Sequence, residues 1–364
     1  PEARTLAERA AARGAGFELA GPHDDVEQLV LGKPGTMFTG SDDGHVWGWH
    51  IDSRRGDDLG GHVGPLEAIA ISPDKRQLLT GGTDRGVRLW DLVTGESKVL
   101  TGHTGAVRGL TFAPDALSFA SASEDGTLRI WSVTTGESSV AIKATHPLRP
   151  VTWSADGTRI WTGTGDGRIL AYDVATQQVT SIAIHGGELR VLVPAPDGTR
   201  LASGGEDGAV FVWTIGSPRA QRVAAHDDVV RDLVWTPDST QLVSAGGDRV
   251  VRVTTPGRPS LELAGNDAGI TDLAISLDGT LIAAAGIDRV VRVWPITGGP
   301  ARSFHGHRAS VKTVALTPDG TMVISTSDDD RVRLWPLAVP PPPPRGAALA
   351  RWITQRTNVT VAAP

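Results

Sequence analysis

The stretch Gly102–Trp131, GHTGAVRGLTFAPDALSFASASEDGTLRIW, decides the fold, because most of the 364 residues repeat it. Its landmarks are His103, Ser121, Asp125 and Trp131. The positions equivalent to Trp131 follow one another at 40 or 41 residues: Trp49, Trp90, Trp131, Tyr172, Trp213, Thr254, Trp294 and Trp335. An aspartate lies six residues before each: Asp43, Asp84, Asp125, Asp166, Asp207, Asp248, Asp288 and Asp329. This period indicates eight copies of one supersecondary unit.

Each copy has the alternating apolar pattern of short strands. In the template we predict four strands, near 107–112, 117–122, 128–131 and 138–142, separated by turns rich in Gly, Pro and Asp. A four-stranded sheet cannot bury both of its faces alone, so neighbouring copies must stack on one another.

The first and last copies are expected to meet. The last copy ends at Pro336 without a fourth strand, whereas Phe17 to Ala20 matches the strand that precedes each His elsewhere, as in Lys98 to Leu100 and Arg302 to Phe304. We therefore predict that this N-terminal strand completes the last sheet and closes a ring, which removes exposed strand edges.

A Gly-His dipeptide, a hydroxyl residue, an Asp turn and a Trp at this period resemble the WD-repeat β-propeller family, over nearly the whole chain. The resemblance implies an all-β fold: a single eight-bladed β-propeller of four-stranded antiparallel blades, with short helices at both termini. The expected organisation is an N-terminal helix or linker at 1–16, the propeller at 17–337, a Pro-rich spacer at 338–345 and a helical tail at 346–364.

In that family the His, Ser or Thr, Asp and Trp of a blade form a hydrogen-bonded tetrad, and the resemblance implies the same here. The implied members are His62, Thr80, Asp84, Trp90, His103, Ser121, Asp125, Trp131, His226, Ser244, Asp248, His307, Ser325, Asp329 and Trp335. Several copies depart from the pattern, at His146, Tyr172, Thr254, Asn266 and Ala284. Copies six and seven are therefore expected to be the least stable sector. We interpret this as drift, in preference to a sector relaxed to admit a partner.

Composition excludes several classes of function. A net charge of −6 argues against general nucleic-acid binding, which needs a basic face. The absence of cysteine excludes disulfides and thiolate sites and suits a reducing, cytoplasmic compartment. No apolar run is long enough for a membrane span. We find no catalytic or phosphate-binding motif and predict no enzyme activity, cofactor or metal.

One ring of positions departs from what blade folding requires. It is the residue after the first apolar position of each innermost strand: Glu27, Glu67, Arg108, Arg149, Arg190, Arg231, Thr271 and Lys312. Four consecutive arginines suggest a basic arc on the face of the His loops that binds an acidic or phosphorylated segment. The alternative is internal pairing with acids such as Glu124 and Glu206. A second series, Arg88, Arg129, Arg252, Arg292 and Arg333, is interpreted as inter-blade salt bridges or packing of the arginine stems.

The favoured interpretation is a non-catalytic protein-interaction scaffold or sensor that docks a protein or peptide partner. By analogy we expect a C-terminal segment of a larger bacterial protein, behind an upstream effector domain. The alternatives are a structural assembly module and, less favoured, an enzyme with a site in the central channel. Unpaired carboxylates converging in the channel would favour the enzyme, and a large apolar patch would favour assembly.

Overall fold

The computed structural model describes residues 16–19, 24–217 and 219–337. These residues form eight four-stranded antiparallel sheets, as predicted. No helix capable of crossing a bilayer occurs within these ranges. The expected terminal helices and the Pro-rich spacer lie outside the described residues.

The first four blades follow the chain in order. Blade 1 contains β2 (Val26–Leu31), β3 (Thr36–Ser41), β4 (His45–His50) and β5 (Arg55–Gly61). Blade 2 contains β6 (Leu66–Ile71), β7 (Gln77–Gly82), β8 (Val87–Asp91) and β9 (Ser97–Leu100). Blade 3 contains β10 (Val107–Phe112), β11 (Ser118–Ser123), β12 (Thr127–Ser132) and β13 (Ser138–Lys143). Blade 4 contains β14 (Leu148–Trp153), β15 (Arg159–Thr164), β16 (Arg168–Asp173) and β17 (Val179–Ile184).

The remaining blades repeat this order, except that the last one takes its outer strand from the N-terminus. Blade 5 contains β18 (Leu189–Pro194), β19 (Arg200–Gly205), β20 (Ala209–Thr214) and β21 (Ala220–Ala225). Blade 6 contains β22 (Val230–Trp235), β23 (Leu242–Gly246), β24 (Val251–Thr254) and β25 (Leu261–Leu263). Blade 7 contains β26 (Ile270–Ile275), β27 (Leu281–Gly286), β28 (Val290–Pro295) and β29 (Arg302–His305). Blade 8 contains β30 (Val311–Leu316), β31 (Met322–Ser327), β32 (Arg331–Pro336) and β1 (Phe17–Leu19).

The blades form a closed ring around a central channel. The first strand of each blade is innermost and packs against the first strand of the next, and β30 of blade 8 packs against β2 of blade 1. The predicted eight-bladed propeller is therefore confirmed.

The ring closes where the two ends of the described chain pair. Strand β1 lies antiparallel to β32, with Phe17 opposite Leu334. The Glu18 carboxylate lies 3.0 Å from Arg331 and 2.9 Å from Arg333, both on β32. The predicted closure by an N-terminal strand is confirmed, and it leaves β32 with a partner on both sides.

The core lies between blades, because each sheet buries one face against each neighbour. In the template, Trp131 stacks almost parallel on Phe119, with ring centroids 5.8 Å apart. Both rings belong to a cluster that includes Leu79 and Val87 of blade 2. This explains why the Trp position recurs in most blades: one large side chain fills the space between its own sheet and the neighbouring one.

The Asp turn imposes an unusual backbone conformation in all eight copies. The residue after the Asp has a φ between +60° and +87°, whether it is a glycine or not: Gly44, Arg85, Gly126, Gly167, Gly208, Arg249, Arg289 and Asp330. At Gly126 a Cβ atom would lie 2.6 Å from the Ala144 carbonyl oxygen. Glycine is required there by both the positive φ and the close approach of the next loop.

Every innermost strand begins with a register shift. In blade 3 the pairing passes from Val107–Ser123 directly to Gly109–Ala122, which leaves Arg108 without a cross-strand partner. The same irregularity occurs in the other seven blades. A bulge redirects its unpaired side chain, and here it turns the ring residues toward the mouth of the channel.

Truncation of Leu19 should weaken the closure, because its side chain is completely buried in the core shared by blades 8 and 1. We expect Leu19→Ala to lower the free energy of unfolding by about 2–5 kcal/mol, measured by urea denaturation. Glu18→Gln is the matched control, since it removes only partly exposed ion pairs worth about 1 kcal/mol or less. Equal, small effects of both substitutions would contradict a closure that depends on β1 packing.

Candidate functional site

Each blade is anchored on one face by the His loop and the Asp turn, and we call this the top face. In blade 3, His103 Nδ1 lies 3.0 Å from Asp125 and Nε2 lies 2.7 Å from Ser121 Oγ. The indole Nε1 of Trp131 donates to the same Ser121 oxygen at 2.7 Å. The hydroxyl therefore accepts from Trp and donates to the imidazole, while Nδ1 donates to the carboxylate.

The same network recurs in four other blades, in two of them complete. Blades 2 and 8 have all four members: His62, Thr80, Asp84 and Trp90, and His307, Ser325, Asp329 and Trp335. In blade 6 the network has three members and lacks the Trp: His226, Ser244 and Asp248. Blade 5 adds His185, which lies 3.0 Å from Asp207 and 2.6 Å from Ser203. Sequence reasoning missed this last network, although the 22-residue spacing from His185 to Asp207 matches the template and could have identified it.

The networks fix the charge states of their members. Burial lowers the pKa of His62, His103, His226 and His307, against the raising influence of the neighbouring carboxylates. Burial would raise the pKa of Asp125, but hydrogen bonds from Thr127, from the Thr104 amide and from His103 lower it overall. These groups are neutral imidazoles and carboxylates with structural partners.

In blade 7 an arginine replaces the missing histidine. Arg292 is 5% exposed, and its guanidinium lies 2.6 Å from Asp288 and 3.2 Å from the Asn266 side-chain oxygen. The expectation that copies six and seven form the weakest sector omitted this bridge. Arg252 likewise lies 2.6 Å from Asp248 in blade 6.

Where an arginine of the second series forms an ion pair, its partner belongs to the same blade. The interpretation of these pairs as inter-blade salt bridges is therefore wrong. Arg333 pairs with Glu18 of the same blade, and Arg129 donates to Ser138 of its own blade at 3.1 Å. Arg252 and Arg292 likewise pair with the aspartate of their own Asp turn, Asp248 and Asp288.

Blade 4 has no tetrad. His146 is half exposed and lies 3.6 Å from Asp166. Thr162, at the hydroxyl position, donates instead to the Pro150 carbonyl at 2.9 Å. The two-residue displacement of His146 in the sequence accounts for this loss.

The mouth of the channel is a cavity of about 560 Å³ lined by the ring residues. From blade 2 to blade 5 their charges alternate with those of neighbouring acids, in the order Glu67, Arg108, Glu124, Arg149, Glu188, Arg190 and Glu206. Representative distances are 2.9 Å for Arg108–Glu124, 2.7 Å for Arg149–Glu188 and 2.5 Å for Arg190–Glu206. We call this series the charge ladder. It shows that three of the four arginines of the expected basic arc are internally paired.

Acidic residues gather where blades 8 and 1 meet. The carboxylates of Asp25, Glu27 and Asp328 have oxygens within 4.8 Å of one another. The Lys312 ammonium lies 2.7 Å from Glu27 and 3.0 Å from Asp328, so an internal cation already lies among them. Burial, with Glu27 nearby, raises the pKa of Asp42 to about 6.

Arg231 differs from the other cations of the ring. It is exposed at the channel mouth, and within the described ranges no carboxylate lies within 4.0 Å of it. In blades 3 and 5 the acidic partner stands 16 residues after the arginine. Gly247 occupies that position for Arg231, so a gap in the acids leaves this guanidinium free.

Two aspartates meet in the wall of the same channel cavity. Asp232 and Asp272 are hydrogen-bonded to each other. Asp232 accepts the Leu273 amide of blade 7 at 2.9 Å, and Asp272 accepts the Val314 amide of blade 8 at 2.7 Å. Burial raises the pKa of Asp232 to about 6, and burial with the Asp232 charge raises that of Asp272. The pair therefore shares a proton while it joins three innermost strands.

Removal of Arg292 should expose the dependence of blade 7 on its substitute cation. Arg292→Ala leaves the buried Asp288 carboxylate without its nearest charge partner. We expect a loss of roughly 2–4 kcal/mol of unfolding free energy. Arg129→Ala in blade 3 is the control, because Asp125 there keeps His103. Urea denaturation of both variants checks this, and equal losses would contradict the substitution of His by Arg in blade 7.

The aspartate pair should make stability depend on pH. The pKa values of both groups are raised in the folded state, so the folded chain retains protons that the unfolded chain releases. Stability is therefore lost as pH rises from about 4 through 6, where Asp232 titrates, and falls further as pH passes the raised pKa of Asp272. We expect Asp272→Asn to reduce this loss by roughly 1–3 kcal/mol, because the amide can donate to Asp232.

The measurement is urea denaturation at a series of pH values between 4 and 7.5. Asp115→Asn, in an exposed turn of blade 3, is the control. A pH profile of Asp272→Asn that runs parallel to those of the wild type and the control would disprove the shared proton.

Comparison with known proteins agrees with this architecture. The family model described as WD domain, G-beta repeat matches residues 55–91, 95–132, 176–214, 218–254, 257–295 and 298–336, more than half of the chain. The unmatched segments hold most of blade 1 and most of blade 4, the blade with Tyr172 and the displaced His146. No curated protein matches the chain.

A solved structure shows the same fold. The crystal structure of the computationally designed Ika8 protein superposes with a TM-score of 0.78 at 23% identity, covering 88% of this chain and 98% of that one. This likeness shows the fold, and the six matched repeats, which cover more than half of the chain, show the family. The chain belongs to the WD40 family of β-propellers, whose members commonly mediate contacts between proteins.

Proposed function

We propose that this propeller is a non-catalytic protein-interaction module whose top face docks an acidic segment of a partner protein. The observation that carries the proposal is the unpaired guanidinium of Arg231 at the rim of the channel cavity. A guanidinium can hold a carboxylate or phosphate through two parallel hydrogen bonds.

The surroundings of Arg231 leave room for such a contact. Gly247 stands at the position that an acidic side chain occupies in blades 3 and 5. A Cβ atom built on Gly269 of the next blade would lie 3.3 Å from the Cα atom of Gly247. The Thr271 hydroxyl is turned away from the partner, since it donates to the Val311 carbonyl at 2.6 Å. The gap is therefore walled by backbone, by Thr271 and by Asp228, whose carboxylate lies against Gly247 without forming an ion pair with Arg231.

The charge ladder has a different part in the proposal. Its arginines are held between acids of neighbouring blades and so contribute rigidity and shape to the rim more than free charge. An incoming acid would have to displace a glutamate from Arg108, Arg149 or Arg190, whereas Arg231 offers its donors directly. We therefore narrow the expected basic arc to one residue.

The two alternatives have weaker support. The channel does contain converging carboxyls, but Asp232 and Asp272 already accept backbone amides of the adjacent blades, as structural groups do. The most exposed large apolar side chains, Val63, Leu277 and Val93, lie in separate loops and turns of the ring, which argues against a large assembly patch. A cytoplasmic location and fusion to an upstream effector domain of a larger bacterial protein remain parts of the proposal.

The test selects peptides that bind to the full chain. A displayed library of random peptides should yield sequences enriched in Asp and Glu with the wild type, and one such peptide, labelled with a fluorophore, becomes the probe. We expect Arg231→Ala to weaken its binding about tenfold, close to 1.4 kcal/mol, and added salt to weaken binding to the wild type.

Arg258→Ala is the matched control, since Arg258 is an exposed arginine on the opposite face. It should leave the affinity unchanged. Peptides without acidic enrichment, or equal affinities of wild type and Arg231→Ala, would overturn the proposal.

A further inference from the structure

On the bottom face, opposite the His loops, the outer strand of one blade borders the last turn of the next, and a groove lies between them. Between blades 2 and 3 this groove is filled by Lys98, which stands eight residues after Trp90. Its Nζ atom donates to the Thr135 carbonyl at 2.6 Å. A Cβ added at Gly136 would lie 2.6 Å from the same Nζ atom, so the ammonium fits closely.

Two other grooves are also filled by internal cations. Arg302 stands eight residues after Trp294, donates to the Leu337 carbonyl of blade 8, and lies 4.8 Å from the Phe304 ring centroid. Where blades 8 and 1 meet, the guanidinium of Arg54 lies 3.5 Å from the Phe17 ring centroid. In these three grooves, the chain's own lysine or arginine side chains lie against carbonyl or aromatic groups.

Among the residues that the structure describes, the groove between blades 4 and 5 has no lysine, and its one lining cation is Arg159 of blade 4. Thr180 stands where Lys98 stands in blade 2, and a cavity of about 220 Å³ remains. Trp161 and Trp213 line it, together with Ser217, the equivalent of Thr135. Trp161 replaces the smaller Leu79 of blade 2, so this groove combines the carbonyl position with an aromatic wall.

The electrostatic environment of this groove also suits a cation. Asp173 lines it, and one carboxylate oxygen accepts from the Thr176 amide and hydroxyl at 2.9 Å, while the nearest cation, Arg159, lies 3.9 Å from the other oxygen. The corresponding groove between blades 1 and 2, of about 230 Å³, already contains Lys33 and Lys75. Lys75 donates there to the Leu31 carbonyl at 3.2 Å. Of these two cavities, the one between blades 4 and 5 is the one without a lysine.

We propose that the groove between blades 4 and 5 binds a lysine side chain of an extended segment of a partner protein. The ammonium would take the place that Lys98 takes beside Thr135, donating to the Ser217 carbonyl and facing Asp173, while the methylene stem packs on Trp161. The net charge of −6 favours the approach of a basic segment. This site is on the face opposite Arg231, so it does not depend on the function proposed for the top face.

The test is an NMR titration of the full chain with the peptide acetyl-Gly-Lys-Gly-amide. Acetyl-Gly-norleucine-Gly-amide is the matched probe, since it keeps the stem and lacks the charge. The indole N–H resonances of Trp161 and Trp213, assigned by Trp→Phe substitution, should shift saturably with the lysine peptide alone. Equal shifts with the norleucine peptide, or none with either, would overturn the proposal.

Thr180→Lys supplies from within the chain the lysine that blade 2 has at Lys98, and it should reduce the affinity for the lysine peptide at least tenfold. Ser139→Lys, the same change at the equivalent exposed position of blade 3, should leave the affinity unchanged. Asp173→Asn, a milder variant that needs no repacking, should weaken binding about threefold. Undiminished binding to both Thr180→Lys and Asp173→Asn would place the lysine elsewhere and refute the assignment.

Discussion

The pairing of β1 with β32 is the contact on which the rest of the structure depends. Each blade buries its faces only against its neighbours, so a break at one seam would expose two faces at once. Strand β1 contributes only three residues, yet Phe17 and Leu19 are buried in the core between blades 8 and 1. A short strand can close the ring because the other seven seams follow directly from the repeat.

Within that ring the Asp turn is constant and its partners vary. Blades 2, 3 and 8 satisfy the carboxylate with His, whereas blade 7 uses Arg292. The physical requirement is a donor for a poorly hydrated carboxylate, and either side chain can meet it. Loss of the family's residues in a blade therefore does not by itself mean loss of order.

The sequence predicts the eight blades and their closure because Trp131 and Asp125 have equivalents at a constant interval. It also predicts which residues ring the channel. It does not reveal the bulge that turns Arg108 toward the mouth, or its pairing with Glu67 of the previous blade, about 40 residues away. Contacts between blades depend on the stacking geometry, so the one unpaired cation of the described channel ring, Arg231, is recognisable only in three dimensions.

The geometry of the seam has a mechanical consequence. Phe17 lies opposite Leu334, so the chain enters β1 and leaves β32 at the same end of the pair. Tension applied between the segments before Gly16 and after Leu337 would pull these strands apart from that end, breaking their hydrogen bonds one after another. The ring would then open at low force, because the hydrogen bonds between the two strands would break one at a time. In strands pulled along their length, all of these hydrogen bonds would bear the load together.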